Sequence, residues 1–153
     1  MKRAGVTVRE ATIHDVRGIQ QLQENWAKEN ITYGFRPASL AAIRKSLDEW
    51  CYVAETGNQI VGFIAGSPRR SPGLAVVPKG QRYLEVGDLY VMRRWRSGGV
   101  GRRLLAALLT EAKRRRIRYV TLYSSTKDAH RVMRFYERAG FRSWFVQMYR
   151  RLV

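Results

Sequence analysis

The residues best suited to chemistry crowd into one turn. Arg93, Arg94 and Arg96 precede Ser97-Gly98-Gly99-Val100-Gly101, and Arg102 follows. Glycines between a strand and a helix let the backbone approach a ligand closely. The first N–H groups of such a helix have no intrahelical acceptor, and the helix dipole favours an anion there. Amides and guanidinium groups at one place imply a phosphate or pyrophosphate ligand. Two common phosphate patterns are excluded. No Gly-x4-Gly-Lys-Ser/Thr run exists, and the dinucleotide fingerprint needs a glycine where Leu104 stands. Just upstream lie two carboxylates, Glu85 and Asp88. Strict strand alternation puts them on opposite faces, whereas a bulge at Gly87 would bring them to one face. Cys51 is the single cysteine, which excludes an internal disulfide framework and a cysteine-based zinc site. His14 and His130 are far apart in sequence, so no metal centre is expected.

The flanking sequence supplies elements to hold that turn. Tyr83–Val91 is rich in β-branched and aromatic residues and reads as a strand. After the turn, Leu104, Leu105, Leu108, Leu109 and Ala112 make one apolar stripe of a helix. Its basic end, Lys113–Arg116, sits where cations complement the dipole. Earlier, Val6–Ile13 alternates as an opening strand. Asp15 is placed to cap a helix over Val16–Lys28, with Ile19, Leu22 and Trp26 on one side. Pro37 is expected to open a second helix running to about Glu49. Cys51–Glu55 and Gln59–Ala65 flank Thr56-Gly57-Asn58 as a hairpin, and Cys51 reads as a small core residue. Ser67–Gly80, with three prolines, reads as a long, mobile, basic connection. Arg118–Ser125 reads as a strand and Asp128–Ala139 as a helix with Gly140 beyond its end. Phe141–Trp144 and Phe145–Leu152 are expected to complete the sheet. A strand–helix–strand crossover after a meander gives an α+β fold: a mixed, mostly antiparallel sheet flanked by helices.

Arg96-x-x-Gly99-x-Gly101, directly after a strand carrying Asp88-Leu89-Tyr90-Val91, resembles the acetyl-CoA-binding segment of the GCN5-related N-acetyltransferases, the GNAT family. Tyr136-x-x-x-Gly140-Phe141 resembles that family's helix end, and the two motifs stand in the family's order. The resemblance implies a splayed central strand pair and transfer of an acetyl group from acetyl-CoA to a primary amine. Transfer would occur by direct attack in a ternary complex. It implies that Leu89 and Val91 offer backbone N–H groups to the thioester and pantetheine. It implies that Arg94, Arg96, Ser97, Gly98, Gly99, Val100, Gly101 and Arg102 hold the pyrophosphate. Tyr136 would protonate the leaving thiolate. Glu85 would serve as the base, with Asp88 as rival. Trp26, Tyr33 and Phe35 fall in the region that helps frame the acceptor, where they line a substrate slot or cover the core. Many family members carry asparagine where Ala129 stands; Arg131 nearby is a further candidate for the 3′-phosphate.

The 153 residues and 45% apolar fraction suit one domain spanning residues 1–153. The net charge is +17, with 23 arginines against 6 lysines. Residues 1–80 carry net +4 and residues 81–153 net +13. A basic half would steer a polyanionic cofactor inward. It also suits a nucleic-acid or other acidic partner, or is simply an arginine-rich solvated surface. A non-catalytic CoA-binding or nucleic-acid-binding module on the same fold is therefore the alternative to an enzyme. No run reaches the length of a membrane helix and no secretory signal is visible, so a cytoplasmic location without a membrane partner is expected. The acceptor amine, small or on a protein lysine, and the oligomeric state, a homodimer included, stay open.

Overall fold

The computed structural model describes residues 5–153. Its elements are β1 (Thr7–Glu10), α1 (Val16–Glu29), α2 (Leu40–Ser46), β2 (Cys51–Thr56), β3 (Gln59–Arg70), β4 (Arg82–Val91), α3 (Val100–Arg114), β5 (Tyr119–Leu122) and α4 (Ala129–Arg138). The strands lie in the order β1-β2-β3-β4-β5. The first three pairings are antiparallel, and β4 with β5 is parallel. A parallel pair needs a crossover, which α3 provides. The expected mixed, mostly antiparallel sheet between helices is what forms.

Each face of the sheet buries its own core. On one face Leu84, Val86 and Val91 of β4 pack with Val100, Leu104, Leu105 and Leu108 of α3. On the other, Phe63 and Tyr90 pack with Ile19 and Leu22 of α1 and Ile43 of α2. The apolar stripe read from the sequence thus becomes the contact face of α3.

Several boundaries differ from the sequence reading, each for a local reason. β1 stops at Glu10 because the Asp15 carboxylate accepts the Thr12 N–H at 2.7 Å and starts a 3-10 turn at Ile13–Asp15. α2 begins at Leu40, not at Pro37: Gln23 accepts the Ala38 N–H at 2.7 Å, and the Ser39 hydroxyl caps Ala42 at 3.2 Å. β3 runs on to Arg70, paired with Arg82. The connection beyond it is tied rather than loose. Ser71 Oγ donates to the Val77 carbonyl at 2.8 Å and accepts from Gly73 and Leu74 N–H at 3.0 and 3.1 Å. Val77 inside this loop is buried. The two strands expected over Phe141–Leu152 do not form: residues 142–153 carry no regular secondary structure and are exposed, and the Phe141 N–H bonds to the Tyr136 carbonyl at 3.1 Å.

Candidate active site

β4 stays paired to β3 as far as Val91 but to β5 only over Tyr83–Val86. Beyond Val86 the edge of β4 facing β5 has no strand partner among the described residues, so a wedge opens between the two strands. The Met92 N–H donates to the Val61 carbonyl at 2.9 Å. Alternation along an antiparallel ladder then turns the backbone groups of Leu89 and Val91 away from β3 and into the wedge.

A bulge marks where the wedge begins. Asp88 pairs with Ala65, but Val86 pairs with Gly66, so Gly87 is an extra residue on β4. The bulge resets the alternation. Val86 and Leu84 face α3, whereas Tyr90 faces α1; Asp88 and Glu85 therefore share the α1 face. The two carboxylates are not equivalent. Glu85 accepts from Arg69 Nε at 3.1 Å. Asp88 has no hydrogen-bond or ion-pair partner among the described residues, and burial pushes its pKa above the usual carboxylate range. It sits in one row across the sheet with Ala65 and Cys51. Cys51 is buried, and burial pushes its thiol up to about 12, which leaves it inert as a nucleophile.

At the open end of the wedge lies the glycine turn. A short 3-10 helix, Arg93–Trp95, leads into Ser97 (φ 63°) and Gly99 (φ 82°), both left-handed. Glycine suits the second; serine bears a Cβ penalty at the first. α3 then starts without a side-chain cap. Its first intrahelical bond runs from Arg103 N–H to the Gly99 carbonyl at 3.0 Å. Val100, Gly101 and Arg102 N–H are thus free donors aimed out of the helix end. Arg102 folds back over the turn, its Nη2 lying 3.7 Å from where a side chain on Gly99 would begin. The other two arginines point elsewhere. Arg94 donates to Gln59 at 2.8 Å. Arg96 grips Glu29 with both Nη atoms, at 2.8 and 2.9 Å, and the Val91 carbonyl with Nε at 2.8 Å. Of the cationic side chains expected at the turn, Arg102 reaches it, while Arg94 and Arg96 are held by other partners. Trp95, which nothing in its type or spacing singled out, has a buried indole N–H beside this turn with no partner among the described residues.

α4 sets Phe135 and Tyr136 against the core cluster that holds Val91, Val100 and Leu104. The Phe135 ring lies beside Gly101, where a Cβ would meet it at an ordinary 3.5 Å and Val91 at 3.7 Å. The next residue, Tyr136, stacks edge-on against Phe135 and Phe141 at 5.0 and 5.6 Å. Its hydroxyl makes no hydrogen bond among the described residues, and burial raises its pKa to about 12. It is a neutral phenol whose O–H is unused among the described residues.

The aromatic residues expected around the acceptor divide. Trp26 has one face on Phe35, 4.0 Å between centroids, and the other on Tyr90 at 5.4 Å; its indole N–H bonds Thr32 at 2.9 Å. With both faces occupied, Trp26 and Phe35 form a pillar between α1 and β4. Tyr33 is the exposed one, with Lys127 above its ring at 5.4 Å and the Tyr149 ring edge-on at 6.1 Å.

Residues 19–141 match the acetyltransferase (GNAT) family. N-acetyltransferase 8F1 of Rattus norvegicus is 32% identical over 105 residues, which is 67% of this chain and 45% of the rat protein. The chain thus spans less than half the length of that relative. Among solved structures, a tetramutant of the BH1408 protein from Bacillus halodurans superposes with a TM-score of 0.74 at 24% identity, covering 95% of this chain and 99% of that one. A protein of Clostridium acetobutylicum described as a predicted acetyltransferase with acetyl-CoA gives 0.71 at 20% identity, covering 97% of each chain.

Proposed function

Since the chain belongs to the GNAT acetyltransferase family, we propose that it moves an acetyl group from acetyl-CoA to a primary amine within a ternary complex. The observation that carries this reading is the wedge. One cleft collects the β4 edge at Leu89 and Val91, which has no strand partner among the described residues, the amides of Val100–Arg102 at the start of α3, and the Tyr136 hydroxyl. These groups fit an extended ligand with an amide-rich arm and a pyrophosphate. The arm adds to the strand edge, and the phosphates meet a helix N-terminus with Arg102 above it.

In the reaction, the amine nitrogen bonds to the thioester carbonyl carbon, the C–S bond breaks, and the sulfur leaves as a thiolate that takes a proton. The chain must provide three things. An alkylammonium, with a pKa near ~10.4, must lose a proton before attack. Asp88 is the base we favour, because it is unpaired and its raised pKa moves it toward neutral pH; Glu85, engaged with Arg69, stands behind it. Backbone N–H at Leu89 or Val91 faces the developing oxyanion, where a fixed donor stabilises charge without reorganisation. Tyr136 supplies the proton to the thiolate. Tyr33, the exposed member of the aromatic group, is the acceptor-side contact of this reading.

The test is a thermal melt with acetyl-CoA, CoA and ATP in parallel. A ligand at ~100 times its dissociation constant adds about 2.7 kcal/mol, which is roughly 5–10 °C for a chain of this size. Shifts with both CoA forms and little with ATP are expected, followed by acetyl-dependent thiol release with a panel of amines. Equal shifts with every polyanion would sink the reading.

A further inference from the structure

We infer that Arg96, Glu29 and Tyr90 form a strut that sets the glycine turn, and that Arg96 acts as a positioning residue rather than as a cation for the phosphates. The inference rests on the acetyl-CoA reading above. It starts from the guanidinium, whose bonding is already committed. Both Nη atoms meet Glu29 in a two-pronged pair, and Nε holds the Val91 carbonyl. Its plane lies over the Tyr90 ring, 5.4 Å from the centroid. The Tyr90 hydroxyl donates to the same Glu29 carboxylate at 2.5 Å. The Arg96 and Glu29 side chains are each only 20% exposed. To turn toward a phosphate, Arg96 would have to abandon a two-pronged carboxylate and leave Glu29 unpaired in a partly desolvated site, which is unfavourable.

The positions of the three residues say what the strut connects. Glu29 ends α1, where the helix dipole disfavours a carboxylate. Arg96 and Tyr90 offset that cost, and the Arg96 guanidinium and Tyr90 hydroxyl hold the Glu29 pKa below the usual carboxylate range. One residue on, Asn30 (φ 52°) turns the chain toward Thr32 and Tyr33. The Tyr33 N–H bonds the Ser125 carbonyl at 2.8 Å, at the far side of the wedge. Tyr90 lies between Leu89 and Val91, the two residues whose backbone faces the wedge. Arg96 immediately precedes the left-handed Ser97. One ion pair therefore joins the acceptor-side segment, the β4 edge and the turn whose amides meet the phosphates. Clamping Arg96 fixes where those amides point.

Calorimetric titration of CoA into the full chain separates a strut from a direct cation. For a strut, Glu29→Gln and Arg96→Gln each weaken CoA binding, on the order of tenfold, and the double variant is no weaker than the worse single, because both break the same device. For a direct cation, Glu29→Gln removes a competing anion, so affinity holds or improves while Arg96→Gln alone weakens it; that result overturns the inference. Arg96→Lys is the second discriminator. It keeps the charge but not the fork, so a strut loses affinity and a phosphate partner keeps it. Arg115→Gln breaks ion pairs with Glu49 and Glu111 away from the turn, and it should leave CoA affinity at the wild-type value. Melts run beside each titration confirm that the variants are folded at the titration temperature. If the wild-type chain takes up no CoA, the acetyl-CoA reading falls and takes the strut with it. If it binds and Glu29→Gln binds equally, only the strut falls.

Discussion

Replacing Tyr136 by phenylalanine removes one oxygen and asks whether that oxygen is used. A positioned general acid contributes about 10²–10⁴-fold. The group it serves here is a thiolate, whose thiol has a pKa near ~8.5 and which leaves tolerably without help. The expected loss in kcat is therefore at the lower end, about 10²-fold. Burial holds the phenol to about 12, so it stays protonated across an assay range of roughly pH 6–10. The wild-type profile should accordingly show no basic limb from this group. Stability should move the other way, if at all. The hydroxyl has no partner among the described residues, so its removal relieves a desolvated polar group and should leave the protein equally stable or up to about 1 kcal/mol more stable. The ring contacts with Phe135 and Phe141 remain. The assay is thiol release with the best amine of the panel, beside CoA calorimetry and a melt. The reasoning fails if kcat stays within about twofold of wild type. It also fails if the variant loses CoA affinity or melts several degrees early, because then Tyr136 is a packing residue.

The other predictions concern the carboxylates and the core. Asp88→Asn should lower kcat about 10²-fold, and Glu85→Gln only a few-fold; the reverse order in a steady-state comparison would make Glu85 the base. Because the folded pKa of Asp88 is raised, its burial is harmless at acid pH and costs stability as pH rises from the unfolded value near ~3.9 through the folded one. Urea titrations should therefore find Asp88→Asn more stable than wild type at pH 7, with the gain vanishing near pH ~3. Arg9→Ala should cost about 2 kcal/mol, since Arg9 grips the buried Asp15 at 2.7 and 2.9 Å. Asp15 is held below the usual range by Arg9 and Thr12 despite its burial, so this stabilisation is present above pH ~4 and is lost as pH falls through the lowered pKa. A cost that is the same at pH 2 and pH 7 would count against the pairing. Leu108→Ala, at a fully buried position facing β4, should lose about 2–5 kcal/mol in the same titration; a loss below 1 would mean the α3 face packs loosely.

How far the sequence revealed the molecule depends on the range of the forces involved. α1 and α3 were legible because their apolar stripes bury whole faces, as Ile19 and Leu22 or Leu104 and Leu108 show. The glycine turn was legible because its backbone angles need glycine at 99. Less legible were features decided by one side chain reaching a distant backbone group. Gln23 holding Ala38 moved the start of α2, and Ser71 gathering Gly73, Leu74 and Val77 tied down a loop whose prolines suggested mobility. At the site, types and spacing pointed to the turn and to Tyr136. They could not show where Arg96 points, because Glu29 lies 67 positions away. Trp26 and Phe35 were equally ambiguous, since a pillar and a slot wall have the same composition. The terminal strands expected over Phe141–Leu152 do not form, because the chain there makes no ladder with the sheet.

The bulge at Gly87 and the opening of the wedge are best understood as one device. β5 pairs with β4 through Val86 and stops, and the extra residue comes next. A bulge adds local twist, which carries Asp88–Val91 away from β5 while β3 keeps hold of them. The same insertion reverses the alternation, so Asp88 lands on the α1 face beside Glu85 rather than in the α3 core. Without it, Asp88 would occupy the side of the sheet where Leu84 and Val86 are buried, an unfavourable place for an unpaired carboxylate. Glycine is not imposed there by sterics: a Cβ at 87 would meet only the Ala65 carbonyl, at an ordinary 3.6 Å. What matters is the count of residues between Val86 and Asp88. One added residue both leaves the strand edge at Leu89 and Val91 without a strand partner and delivers Asp88 to the α1 face, the two things that the proposed reaction asks of this strand.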